Sequence, residues 1–327
     1  MSISAIVPVW NGRDLLARLL VSLDAQTLRA EELLVIDNGS EDGAPELARQ
    51  AGARVIAMGR NAGFAAAVNR GIAESRGDWV AVLNSDVELA PDYFQKLVAA
   101  NAWFATGKIL RTGTSQIDGT FDLVCRGGTA WRAGNGRSDG PAFSEARTID
   151  SPPWTAALFR AELFSRVGML EESFESYLED VDFGMKCACR GGGFRGQYVP
   201  DAIAWHRGSA TLGRWHPDTV RRIARNQVLL LARYYPRETL RRWWWPITVA
   251  HVLWGFVAVR HGAGSAWLRG AIAGLRLLSA TPRCGLAPFR VEKFLREGER
   301  AIREIQEITG FDTYWKLYFL LTGGGAK

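Results

Sequence analysis

The chain begins MSISAIVPVW, with neither a basic leader nor a cleavable apolar segment, so nothing at that end points to secretion. Cysteine is scarce: Cys125, Cys187, Cys189 and Cys284 are the only four in 327 residues. One C-x-C and two singletons make neither a zinc spacing nor a disulfide framework, and reduced thiols in a cytoplasmic setting are the expectation. The Asn38-Gly39-Ser40 sequon is then irrelevant to glycosylation. There is no low-complexity tract and no evident short repeat. Histidine is also rare, at four residues. His206 ends a β-type run, whereas His216, His251 and His261 have no comparable setting and are expected to be structural or interfacial.

What is present is an ordinary globular composition, long enough for one large domain or two smaller ones. Thirteen tryptophans and a net charge of +6, mostly from arginine, stand out. A basic balance suits anionic partners such as nucleotide phosphates or acidic lipid headgroups. No aromatic-basic binding motif appears, so nucleic acid is not an expected partner.

The first hundred residues alternate regularly. SISAIVPVW, ELLVIDNGS, RVIAMG and DWVAVLNSD read as strands. DLLARLLVSL, GAPELARQAG, GFAAAVNRGIAESRG and PDYFQKLVAAN read as the helices that follow them. Units at this spacing predict an α/β fold with a parallel sheet covered on both faces. Between about 105 and 155 glycines are dense and no period survives, which predicts loops and short strands laid over the sheet. WTAALFRAELFSRVG then reads as a strand entering a helix, YLEDVDFGMK as a helix opening, and FRGQYVPDAIAWH as a strand.

In open parallel sheets, ligands bind at the carboxyl ends of the strands. Those ends carry Pro8, Trp10 and Asn11 after the first strand, and Asp37 and Asn38 after the second. Asn84, Ser85 and Asp86 follow the fourth. Asn61 and Gly63 precede a helix whose amino end would face a phosphate. Any one of these is equally well a turn or a cap; four polar strand ends on one edge are harder to set aside. Asp86, too far upstream to cap the helix opening at Pro91, is a natural ligand for Mg2+ or Mn2+. GGGFRG, residues 191–196, formally matches a dinucleotide fingerprint, but it follows a helix and leads into a strand, the reverse of the required context. Its glycines are expected to end the helix before them.

AIVPVWN, LLVIDNGSEDG, NAGFAAAVNRG, VLNSDVEL, YLEDVDFGMKCACRGG and AWHRGSAT occur in the order and spacing of family 2 glycosyltransferases. The set most resembles the bacterial rhamnosyltransferase-like group and covers roughly residues 3–212. The resemblance implies a GT-A fold, a nucleotide-sugar donor, a divalent cation (Mg2+ or Mn2+) and inversion at the anomeric carbon. It places Pro8 and Asp37 at the nucleobase and ribose, with Asn61, Gly63 and Asn69 nearby. Asp86 matches the last acid of the family's D-x-D motif and His206 a histidine that helps bind metal or diphosphate. Asp180 matches the catalytic base, with Glu179 a supporting carboxylate and Asp182 structural. Asn84 departs from the motif, where an acid would stand, and leaves metal dependence open. The donor it implies is dTDP-rhamnose or a UDP-sugar, and the acceptor a cell-envelope glycan or lipid-linked sugar. A sugar-nucleotide-binding scaffold with vestigial catalytic groups is the alternative, although Asp86, Asp180 and His206 are all retained.

The expected division is 1–212 as the glycosyltransferase domain, with 1–100 the donor half and 101–212 the acceptor half, and 213–327 as a helical region. Trp243 to Val259 is an uncharged run of seventeen residues. As a helix it is about 25 Å long, borderline for a bilayer. SAWLRGAIAGLRLLSA is amphipathic, and VEKFLREGERAIREIQEI carries a Val291, Phe294, Leu295, Ile302, Ile305 seam. Two readings stay open: a helical subdomain or homo-oligomer interface with a Trp-rich core, and an anchor to an anionic membrane. In the second, Arg221, Arg222, Arg241 and Arg242 face lipid headgroups at the inner face of the cell membrane.

Overall fold

In the computed structural model, residues 1–208 and 215–323 are described. The proposed boundary at 212 and the end of the AWHRGSAT motif lie outside them. The amino-terminal third runs β1 (Ile3–Val9), α1 (Arg13–Asp24), β2 (Glu32–Asp37), α2 (Ala44–Gln50), β3 (Arg54–Ala57), α3 (Phe64–Glu74) and β4 (Trp79–Leu83). A short β5 (Val87–Leu89) and α4 (Tyr93–Ala99) follow. β1 pairs in parallel with β2 and β4, and β2 with β3. Both faces are covered, because every residue of β1 is buried. Ile3, Ala5, Val7 and Val9 join the core under α1, and Ile6 joins the opposite core with Val68 and Ile72 of α3. Gly71 lets α3 approach closely: a Cβ there would lie 2.3 Å from the Ile6 side chain.

The middle third departs from the expectation of loops laid over the sheet. β6 (Phe104–Arg111) is an eight-residue strand inside it. It is followed by β7 (Ile117–Gly119), β8 (Asp122–Val124), β9 (Ala130–Arg132), β10 (Arg147–Ile149), β11 (Ala156–Arg160), α5 (Ala161–Val167), α6 (Glu179–Arg190) and β12 (Gly196–His206). The sheet order is β10-β12-β6-β11-β4-β1-β2-β3. It is mixed, since β11 runs antiparallel to both β4 and β6. β6 hides from pattern reading because it carries Gly107 and Lys108. A Cβ on Gly107 would meet the Ala202 carbonyl at 2.0 Å, and buried Lys108 reaches Asp139 at 2.8 Å. β12 is parallel to β6, so the carboxyl ends of β1, β2, β4, β6 and β12 share one edge.

The remainder is helical: α7 (Pro217–Tyr234), α8 (Arg237–Arg242), α9 (Trp244–Arg260), α10 (Gly264–Leu277), α11 (Pro288–Thr309) and α12 (Thr313–Thr322). The predicted seam of α11 is buried at all five positions. No described helix is long and apolar enough to cross a membrane. α10 packs along α7, and α9 along α12 and α10. Three of the four arginines expected to face lipid have acidic partners: Arg222 pairs with Glu175 at 2.6 Å, and Arg221 with Asp218 at 3.4 Å. Arg242 pairs with Glu292.

Candidate active site

Two clusters form at the carboxyl edge of the sheet. In the first, His206 ends β12 opposite Val87, which puts it beside Asp86 at the entrance to β5. Its Nε2 lies 3.0 Å from Asp86 Oδ1, and its Nδ1 2.8 Å from Asp118 Oδ2. Burial pushes the imidazole down, but the hydrogen bonds to Asp118 and Asp86 outweigh it and take the pKa up to about 9. Burial raises the Asp118 carboxyl, and His206, with Arg132 and Arg111 behind it, more than reverses this.

The second cluster surrounds the start of α6, whose first turn holds Glu179, Asp180 and Asp182. Acids are favoured there by the helix dipole. Asp180 Oδ1 accepts from the Val181 N–H at 2.8 Å, and Oδ2 accepts from Arg132 at 2.7 Å. Arg132, from β9, also grips both oxygens of Asp122 at 3.0 Å. Burial and the neighbouring Asp122 push the Asp180 carboxyl up to about 6, against the pull of Arg132. Glu179 is pushed up strongly, by burial and then by Asp180. Its Oε2 is buried without a hydrogen-bond partner among the described residues, which suits a carboxyl held neutral. Asp182 is fully buried and bonded to Arg233 and Tyr234 of α7, each at 2.8 Å.

The two clusters communicate, because Arg132 also acts electrostatically on Asp118. A chain of alternating charge therefore runs Asp86–His206–Asp118, then Arg132, then Asp180 and Asp122. Asp118, Asp122 and Arg132 escaped the sequence reading. They sit in the glycine-dense stretch, and nothing in their local pattern marks them.

The turn that delivers Asp180 is strained. Glu175, Tyr177 and Leu178 have φ of 60°, 73° and 67° without being glycine. Side chains rarely adopt that region, at a cost of roughly 1–2 kcal/mol each. α7 holds the turn in place. Fully buried Asn226 donates to the carbonyls of Phe174, Ser176 and Tyr177 at 2.9, 3.1 and 2.7 Å. Arg225 donates to the carbonyls of Ser173 and Phe174, each at 3.0 Å.

The remaining sequence candidates are distributed along the same edge. Pro8 and Val9 pair with Ile36 and Asp37 at the shared ends of β1 and β2. Asp37 caps its own turn by accepting from the Ser40 N–H at 2.8 Å. Trp10 is exposed, and Asn11, at φ 59°, accepts from the Glu41 N–H. Asn84 donates its backbone N–H to the Thr155 carbonyl, which brings β11 to the site; Ser85 and Asp86 follow. Asn38 braces the next loop through the Gly63 carbonyl and the Ala62 N–H.

The α3 amino end is engaged within the protein. The Gly63 N–H goes to Asn61, the Phe64 N–H to Ser176 Oγ and the Ala65 N–H to the Glu175 carbonyl. A phosphate facing that helix end would have to displace these bonds. Asn69 spends its amide on Leu170 and Glu172, tying α3 to the segment before α6. His216 caps α7, His261 stacks on Trp215 with ring centroids 3.9 Å apart, and His251 is held neutral by burial, its pKa down to about 4. Gly191 closes α6 at φ 74°, as a helix-ending glycine does.

Residues 4–167 match the model for Glycosyl transferase family 2, half of the chain. The chain belongs to that family. It is 30% identical over 274 residues to the N-acetylglucosaminyl-diphospho-decaprenol L-rhamnosyltransferase of Mycobacterium tuberculosis, covering 75% of this chain and 87% of that one. The fold also resembles GalNAc-T7, solved with UDP, GalNAc and Mn2+, at TM-score 0.60 and 15% identity over 78% of this chain and 51% of that chain. The mannosyltransferase PcManGT of Pyrobaculum calidifontis, solved with GDP-Man and Mn2+, aligns at TM-score 0.51 and 16% identity over 99% of this chain and 88% of its own. The protein is a family 2 glycosyltransferase of GT-A-like fold that transfers a sugar from a nucleotide donor.

Among the described residues no group of three or more His, Cys, Asp or Glu side chains is poised around a metal position. One carboxylate and one imidazole lie side by side at Asp86 and His206, and the second imidazole nitrogen is held by Asp118. Asp118 fixes the ring as a carboxylate does for a metal-binding imidazole, and a cation at Nε2 would have to displace the proton now shared with Asp86. A hard cation that keeps most of its ligands from water and substrate phosphates fits such a sparse set.

Proposed function

We propose that this family 2 enzyme moves rhamnose from dTDP-rhamnose to a hydroxyl of a lipid-linked or cell-envelope glycan, with inversion by single displacement. It would work in the cytoplasm at the inner face of the cell membrane. The relationship to the mycobacterial rhamnosyltransferase supports the sugar and the acceptor class. UDP-galactofuranose and UDP-N-acetylhexosamines are the competing donors. The observation that carries the mechanism is Asp180: a buried carboxylate at a helix start, 2.7 Å from an arginine and titrating near 6.

A general base performs best with a pKa near the working pH, since it is then both ionised and basic. Asp180 takes the proton of the attacking hydroxyl, and Arg132 keeps its carboxylate aimed. Glu179, held neutral, has a proton to donate in a hydrogen bond to the acceptor. Asp86 would hold the divalent cation, joined by His206 once its Nε2 proton is displaced, with Asp118 fixing the imidazole. When bound, the cation supplies positive charge that stabilises the departing diphosphate. The strand-end groups Pro8, Trp10, Asn11, Asp37, Asn38, Asn84 and Ser85 line the donor side, with Asn61 and Gly63 on the adjoining loop.

A thermal-shift screen of dTDP-rhamnose and UDP-sugars with Mn2+ or Mg2+ tests the reading. The true donor raises the melting temperature, because ligand binding stabilises the native state. With acceptor present, the same nucleotide is released as its diphosphate. No shift and no release with any nucleotide sugar would overturn it.

A further inference from the structure

The carboxy-terminal helices leave a large apolar surface uncovered. Sixteen of the twenty exposed large hydrophobic side chains in the described residues lie between Trp244 and Leu321. α9 is apolar around its whole circumference, and such a helix is ordinarily buried in a core or a membrane. Here Pro246, Val249, Ala250, Gly255 and Ala258 are buried, while on the remaining face Trp244, Phe256 and Val259 are each more than 60% exposed. On α10 the small residues Ala266, Gly270 and Gly274 are buried, the two glycines against α7. Leu268, Ile272 and Leu275 fall on the opposite face by helical spacing, and all are exposed. The two helices adjoin where Gly255 meets the Trp267 ring.

The charge around this surface is of one sign. Residues 239–287 contain six arginines and no aspartate or glutamate. Arg241, Arg260, Arg269, Arg276 and Arg283 have no acidic partner among the described residues, and the first four are exposed on α8, α9 and α10. An isologous contact with a second copy would bring this acid-free face against itself, leaving arginine opposed to arginine. An apolar face edged by unpaired arginines, with tryptophans at one end, is instead complementary to the interface of an anionic bilayer.

We propose that the exposed face of α9 and α10 is a peripheral docking surface for an anionic lipid bilayer. Its apolar stripe enters the headgroup boundary, and the flanking arginines pair with lipid phosphates. The reason for docking rests on the lipid-linked acceptor reading, but the docking itself does not. Vesicle binding is measured without sugar transfer, so either can fail alone.

The test is flotation of the full chain with vesicles of phosphatidylglycerol and phosphatidylcholine, and with phosphatidylcholine alone. The protein is expected to float with the anionic vesicles at low salt and to bind the neutral ones at least about ten-fold less. L268Q/I272Q/L275Q and R269E/R276E, which change exposed positions, should each lower partition about ten-fold or more. Both should keep the wild-type melting temperature. Wild-type protein that stays in the soluble fraction overturns the proposal. So does a lipid-free dimer that these substitutions turn into monomers, which would assign the face to a second copy. Equal binding by wild type and both folded variants also overturns it.

Discussion

Replacing Asn226 with alanine should damage both stability and chemistry, although Asn226 is fully buried on α7. Its amide donates to three backbone carbonyls at 2.7–3.1 Å. The Phe174 carbonyl keeps Arg225 as a donor. The Ser176 and Tyr177 carbonyls, both in part-buried bonds, lose the donor they share, and each orphan costs about 1–1.5 kcal/mol, the lower end of the buried range. The three left-handed residues these bonds hold in place would gain by relaxing. Part of the loss is recovered that way, and a net destabilisation of about 2 kcal/mol is expected. For a chain of this size that lowers the melting temperature by roughly 3 °C. The relaxed turn no longer aims Asp180, so kcat should fall while the KM for donor changes little. Calorimetry or urea unfolding, paired with steady-state transfer, checks both. A variant within about 0.5 kcal/mol of wild type and with unchanged kcat would refute the clamp.

Two further outcomes follow from the charge chain. Asp118→Asn removes the carboxylate that orients His206, and such outer partners typically matter about 10–100-fold in metal affinity. Mn2+ titration followed by thermal shift should show weaker metal binding, and unchanged affinity would count against the role given to Asp118. Asp180 must be ionised to accept a proton, and its pKa lies near 6. The transfer rate should therefore be flat above that value and fall as pH drops through it, about ten-fold per unit. A rate that is level between pH 5 and 8, or that rises on acidification, contradicts Asp180 as the base.

Much of the donor half was legible in the sequence because its signals are local. Strands buried on both faces read as continuous apolar runs, and the α1 leucines recur at helical spacing. The α6 start and the α11 seam were legible for the same reason. β6 was not, since a glycine that admits the Ala202 carbonyl and a lysine neutralised by Asp139 break any strand pattern. Arg132, Asp122 and Asp118 were invisible because their partners lie far along the chain; Arg132 and Asp180 are 48 positions apart. Of the two readings of the carboxy-terminal region, the one that turns Arg222 to lipid misses Glu175, which reaches it across the turn. The sequence division near 212 also obscured how closely α7 serves the site. Asn226, Arg233 and Tyr234 lie beyond that boundary, yet they hold the turn and the helix that carry Asp180.

The central claim is that Asp180 is the base of a single displacement, and turnover by Asp180→Asn measures it directly. The amide is nearly isosteric and cannot take the proton, so transfer should fall by about 10^2–10^4-fold. The thermal shift given by donor and metal should match that of the wild type. Transfer near the wild-type rate by a variant that binds donor normally would contradict the account.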